Sequence, residues 1–133
     1  MVDEAVRAFL RDYIDSFESL EVLLLLHRER TDWTADELCR RFKIRARVID
    51  DALASLIRAG LVNTAEQDVL TSYRYADEDV VRGALITSLE CTYRDEPIKI
   101  MQLMSANAIE RLRNGAIRAF ADAFVFRKDK GRG

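Results

Sequence analysis

The run LEVLLLL, Leu20 to Leu26, sets the first condition on the fold. Asp15 and Glu18 stand at capping-box spacing before it, so a helix is expected to start near Asp15. On that helix Leu20, Val22, Leu23, Leu24, Leu25 and Leu26 point nearly all round the axis. A helix apolar on every side has to be covered on every side. One small core leaves half of it wet, so the helix must lie sandwiched between a central domain and terminal helices or a partner chain.

The chain has 133 residues, enough for one domain with a real core or a small domain with a helical extension. One proline and five glycines favour helices over a loop-rich or all-β chain. The start, MVDEAVRAFLRDY, lacks the basic and apolar regions of a signal peptide. The longest apolar run, Val22 to Leu26, is far short of a bilayer span. Cys39 and Cys91 form no CxxC pair and read as reduced cytoplasmic thiols in or near the core.

Around the leucine-rich helix the sequence predicts five more helices and two strands. Val2, Val6, Phe9, Leu10 and Tyr13 mark a short N-terminal helix. Thr34-Ala-Asp-Glu37 is a capping box, with Trp33 and Leu38 at the positions of a hydrophobic staple. The short helix it starts carries Leu38, Cys39 and Phe42. A further helix over about Arg45 to Ala59 buries Ile49, Leu53, Leu56 and Ile57, with Gly60 as its left-handed cap and Leu61 folding back. Val62 to Ala65 and Val69 to Tyr75 read as strands joined by the turn Glu66-Gln67-Asp68. In the second, Val69, Thr71, Tyr73 and Tyr75 alternate with Leu70, Ser72 and Arg74. From Asp77 the chain is helical again. One face is set by Val80, Val81, Ala84, Leu85, Ser88, Leu89 and Thr92. After Pro97 comes a stripe of Ile98, Met101, Met104, Ala108, Leu112, Ala116, Phe120 and Phe124. Asn114-Gly115 leaves open one long helix or two.

The order helix, short helix, turn, helix, hairpin resembles the winged helix-turn-helix domains of bacterial transcription regulators such as the MarR and ArsR families. TADELCRRF resembles the first helix of the motif, IRARVIDDALASLIRAGLV the second, and VLTSYRYA the returning strand of the wing, over residues 17–76. The resemblance implies a mainly α fold, a winged helix-turn-helix core with a small β-hairpin and flanking N- and C-terminal helices. It divides the chain into an N-terminal helix (1–15), the winged domain (16–76), a dimerising helical extension (77–126) and a flexible basic tail (127–133). Three departures stand out, one of them the wing turn Glu66-Gln67-Asp68, which is acidic where such wings are often basic. Ile44-Arg45 occupy the place where such second helices carry a Ser or Thr cap, and Asp50 and Asp51 replace the usual groove-facing residues.

Net charge is −2, which by itself does not mark a nucleic-acid binder. Residues 17–76 hold nine basic and ten acidic side chains. Five of the bases, Arg40, Arg41, Lys43, Arg45 and Arg47, fall within eight residues around the turn. In the resembled fold that region grips phosphates and enters the major groove. Against this stand Asp50, Asp51 and the acidic wing turn, Glu66 and Asp68, which suit a basic protein partner. Arg47 is within helical reach of both aspartates, so local ion pairs also account for them.

No catalytic constellation, phosphate-binding glycine loop or metal-ligand spacing is found, and no enzyme activity, metal or cofactor is expected. His27 reads as a packed or edge histidine. Tyr73, Tyr75, Tyr93, Phe120, Phe124 and Phe126 are candidates to line an effector pocket, with core packing the plainer reading. The leading expectation is a cytoplasmic homodimer, paired through its terminal helices, that binds double-stranded DNA through Arg40, Arg41, Lys43, Arg45 and Arg47. The alternative is a winged-helix interaction module that engages a basic protein through Asp50, Asp51, Glu66 and Asp68. Neither places the chain in a membrane.

Overall fold

The leucine-rich segment is the hub of the fold. In the computed structural model, which describes residues 2–130 and side chains as far as Ala123, it forms α2 (Phe17–Glu29). Ser19, Leu20, His27 and every residue from Val22 to Leu26 are buried. The chain covers this helix by itself: α4 (Ala46–Arg58), α5 (Val80–Asp95) and strand β3 (Leu70–Tyr75) all pack on it. The cap lies one residue beyond the expected one. Ser16, in extended backbone, accepts the Ser19 N–H at 3.1 Å. The Asp15 carboxylate is thereby left to take the Ser19 and Ser55 hydroxyls at 3.0 and 2.9 Å, which ties α2 to α4.

Before the hub, α1 (Glu4–Tyr13) buries Val6, Phe9 and Leu10 and packs on α5 and α6 (Pro97–Lys130). After it, α3 (Ala35–Phe42) opens on the predicted capping box, with both hydrogen bonds made: Glu37 N–H to Thr34 Oγ1 at 3.2 Å and Thr34 N–H to Glu37 Oε1 at 2.9 Å. Trp33 and Leu38 both join the core, as a staple requires. Trp33–Thr34 also forms a short strand, β1, that the sequence did not suggest. Its partner is distant: Trp33 faces Tyr73 and Thr34 faces Ser72 across an antiparallel pairing.

α4 ends as predicted. Gly60 is left-handed at φ 76°, its N–H bonds Ile57 O, and Leu61 N–H bonds Leu56 O, the two bonds of a Schellman motif. The buried face is Ile49, Ala52, Leu53 and Leu56, and Ile57 is exposed instead of buried because it stands past the edge of that face. Strands β2 (Val62–Gln67) and β3 form the hairpin, and the sheet order is β1-β3-β2. β2 runs two residues longer than expected and β3 starts one residue later, so the turn is Asp68-Val69 and not Glu66-Gln67-Asp68, with Asp68 at φ 58°. The expected alternation holds at the base of the hairpin, where Tyr75 is buried, Tyr73 half-buried and Arg74 exposed, but not toward its tip, where Ser72 is half-buried like Thr71 and Val69 is exposed.

Both C-terminal helices exist, but each presents a different face from the one expected. In α5, Ile86 and Leu89 are buried with Leu85 and Tyr93 half-buried, whereas Val80 and Val81 are 82% and 80% exposed. The inward face is turned by about one residue. α6 is one continuous helix of 34 residues that Asn114-Gly115 does not interrupt. At 1.5 Å per residue it is about 50 Å long. Ile100 and Met104 anchor it, Leu103 and Ala108 are half-buried, and Ile98, Met101, Leu112, Ala116 and Phe120 are exposed. Arg111 further ties it to the α1–α2 junction, donating to Asp15 O at 3.2 Å and Ile14 O at 3.5 Å. Of the expected tail, 127–133, and of Phe124 and Phe126, no side chain falls within the described residues. Cys39 is half-buried, while Cys91 is exposed and not near the core as expected. Among the described residues, no helix is long and apolar enough to cross a membrane.

Candidate nucleic-acid interface

The helix-turn-helix angle is set by a few backbone choices. Lys43 ends α3 in the left-handed region, at φ 57° and ψ 47°, and Ile44 packs half-buried against the core just after it. Arg45 then takes extended backbone as the N-cap of α4, and no side chain caps that helix, as the Ile44-Arg45 sequence implied. Its carbonyl accepts the first helical bonds, from Val48 and Ile49 at 3.1 and 3.2 Å.

This geometry spreads the five basic residues over one end of the motif. Arg40 and Arg41 stand in the last turn of α3, Lys43 and Arg45 in the turn, and Arg47 in the first turn of α4. All five are exposed. Among the described residues none forms an ion pair within 4.0 Å, and Arg41 makes only a ring contact, 5.7 Å above Phe42. Arg41 lines a cleft of about 550 Å³ together with Glu21, Arg28, Glu90 and Tyr93. Within it Arg28 pairs with Glu90 at 3.1 Å and the Tyr93 hydroxyl donates to Glu21 at 2.7 Å.

Asp50 and Asp51 are also exposed, in the second turn of α4. The expected local pairing with Arg47 is not made: no ion pair joins it to either aspartate. Asp51 borders an open cleft of about 390 Å³ with Asp15, Glu18, Val48, Ala54 and Arg58. Arg58 was missed by the sequence reading, although its spacing of seven residues from Asp51 and eleven from Arg47 signals the same helix side.

The wing carries a different surface. Glu66 and Asp68 are exposed at its end, and Val69 at the tip is 97% exposed. Its basic residue, Arg74, is held by Asp32 at 2.9 Å. The candidate effector aromatics among the described residues, Tyr73, Tyr75, Tyr93 and Phe120, do not gather round one cavity. Tyr75 is in the core beside His27, Tyr73 is half-buried in the sheet, Tyr93 faces Glu21, and Phe120 is exposed. His27 is packed, as expected, with its ring edge-on to Tyr75 at 4.8 Å.

No protein-family model matches the chain, and no curated protein matches it by sequence. Solved structures do match. Reduced HlyU from Vibrio cholerae is 22% identical with a TM-score of 0.52, over 69% of this chain and 90% of that one. The homodimeric winged helix-turn-helix DNA-binding domain of Mb0332 from Mycobacterium bovis is 20% identical with a TM-score of 0.53, over 70% and 90%. The adhesin competence repressor AdcR from Streptococcus pyogenes is 16% identical with a TM-score of 0.51, over 85% and 82%. The likeness is one of fold, and it agrees with the element order, the hairpin and the helix-turn-helix geometry: this chain has the winged helix-turn-helix fold.

Proposed function

We propose that the chain is a DNA-binding transcriptional regulator that acts as a homodimer, with residues 16–76 as the DNA-binding part and 77–126 as the dimerising extension. One observation carries the reading: Arg40, Arg41, Lys43, Arg45 and Arg47 are exposed, without an ion pair among the described residues, and gathered from the end of α3 through the turn to the start of α4. Phosphates are the natural counter-charge for such a group, and the first turn of α4 is where a recognition helix meets bases. The test is binding of a random-sequence 30-base-pair duplex between about 50 and 200 mM salt, where five neutralised phosphates give a log-log slope of roughly −4 per copy. Arg45→Ala/Arg47→Ala should flatten that slope and weaken binding.

The wing favours a second reading, an interaction module with a basic protein partner. Its arginine is occupied by Asp32, and its tip presents Val69 and Leu70 beside Glu66 and Asp68. On this reading Asp50, Asp51, Glu66 and Asp68 are the contact surface. The same titration separates the two, because absence of duplex binding near 50 mM salt removes the first and leaves the second.

A further inference from the structure

Asp51 fits a DNA-reading helix least by charge, yet its placement gives it a use there. α4 turns Ile49, Ala52, Leu53, Ser55 and Leu56 inward. At about 100° per residue, the opposite side carries Arg47, Asp51, Ala54 and Arg58, while Asp50 lies about 60° round from Arg47, on the flank with Ile57. All four outward residues are exposed. Asp51 therefore stands one turn beyond Arg47 and about 40° round from it, at the edge of the outward side that borders the cleft with Asp15 and Glu18, and that carboxylate has no ion-pair partner within 4.0 Å among the described residues.

In the free chain water satisfies such a group. Docking of α4 into a groove strips that water, and a desolvated carboxylate without a donor is strongly disfavoured. Phosphates offer no donor. The major groove offers two, the N4 amino group of cytosine and the N6 amino group of adenine. Adenine sets its amino group beside the N7 acceptor, which repels a carboxylate, whereas cytosine presents its amino group without a neighbouring acceptor on the same base. We propose that Asp51 is a specificity-determining residue that accepts a hydrogen bond from cytosine N4 in each half-site. The proposal rests on the reading of α4 as the DNA-contacting helix. It implies that Asp51 lowers affinity for DNA in general and raises discrimination among sequences.

The experiment selects duplexes from a random library with the full wild-type chain and with Asp51→Ala, Asp51→Asn and Asp50→Ala. These side chains are exposed, so each variant should fold, which circular dichroism checks. Wild type should enrich a cytosine that Asp51→Ala no longer enriches. Asp51→Asn should move that preference to adenine, the base an amide matches through N6 and N7. Asp51→Ala should bind the wild-type-selected duplex roughly tenfold more weakly, the size of one lost base contact, yet bind random duplex more tightly. Asp50→Ala should change affinity for all duplexes alike. Tighter binding of Asp51→Ala to every duplex, with the base preferences of wild type intact, overturns the proposal and leaves the DNA reading standing. A wild-type chain that binds no duplex near 50 mM salt overturns both.

Discussion

His27 shows how one side chain ties the hub to its surroundings. Its ring is buried at the end of α2, edge-on to Tyr75, and Nε2 lies 3.1 Å from Arg30 Nη2. Arg30 also lies 5.0 Å over the Tyr75 ring. A guanidinium can only donate, so the imidazole accepts at Nε2 and is neutral. Burial first, and then the Arg30 charge, hold the His27 pKa below its ordinary 6.5, with Glu90 opposing. As pH falls, the unfolded chain therefore takes up this proton before the folded one. The stabilisation is fully present above pH 6.5 and is lost as pH falls from there through the depressed folded value. Urea midpoints between pH 7 and pH 5 should fall more steeply for wild type than for His27→Gln, and parallel curves for the two would refute this. At the same scale the Thr34 box was legible because its two partners sit three residues apart and nothing distant competes. The cap at Ser16 was not. Asp15 and Ser16 are both good caps, and the choice turned on Ser55, forty residues away, which draws the Asp15 carboxylate to α4.

Two glycines, one after α4 and one in α5, make opposite predictions at the scale of the element. Gly60 has φ 76°, and an added Cβ meets nothing within 4 Å. Space is free there but the backbone is left-handed, so Gly60→Ala should destabilise by about 1 kcal/mol through strain at the α4 exit. Gly83 lies inside α5, where a Cβ would stand 3.7 Å from Tyr75 Oη and 3.9 Å from His27 Nε2, ordinary contact distances. Gly83→Ala should stabilise by about 0.5–1 kcal/mol through helix propensity. Chemical denaturation of both variants decides the signs. Elements were legible where a sharp local signal bounded them, as at Gly60, Thr34 and Pro97. Strand β1 was not, because two residues become a strand only when Tyr73 and Ser72 arrive beside them. The inward faces of α5 and α6 were not legible either, since apolar residues ring both helices and only packing on α1 and α2 chooses among them.

For the whole molecule, the unresolved tension in the sequence was between a near-neutral total and a basic turn. Folding separates the charges in space. The cations collect at one end of the motif, the wing acids stand apart on their hairpin, and Arg74 is neutralised by Asp32. The terminal helices pose the other question at this scale. Leu20, Val22 and Leu23 to Leu26 of α2 are all buried within one chain, so the over-apolar hub does not itself require a second copy, and the branch that needed a partner chain falls away. The case for a dimer moves to α6. Beyond Ala108 its described side chains are all exposed, and they include Ile109, Leu112, Ile117 and Phe120. A long helix with little tertiary support is marginal in water, and Leu112 and Phe120, 75% and 74% exposed, lie eight residues apart, about 80° from each other round the axis, with Ile109 between them. Leu112→Asp/Phe120→Asp should therefore convert a dimer to a monomer in light scattering at micromolar concentration. The urea midpoint of the winged domain should persist, because neither residue touches its core. A dimeric regulator grips two half-sites, so the same variant should also lose affinity for a selected duplex at concentrations where wild type is saturated. Wild type that scatters as a monomer would refute the two-half-site arrangement, and a double variant that remains dimeric would move the interface off this face of α6.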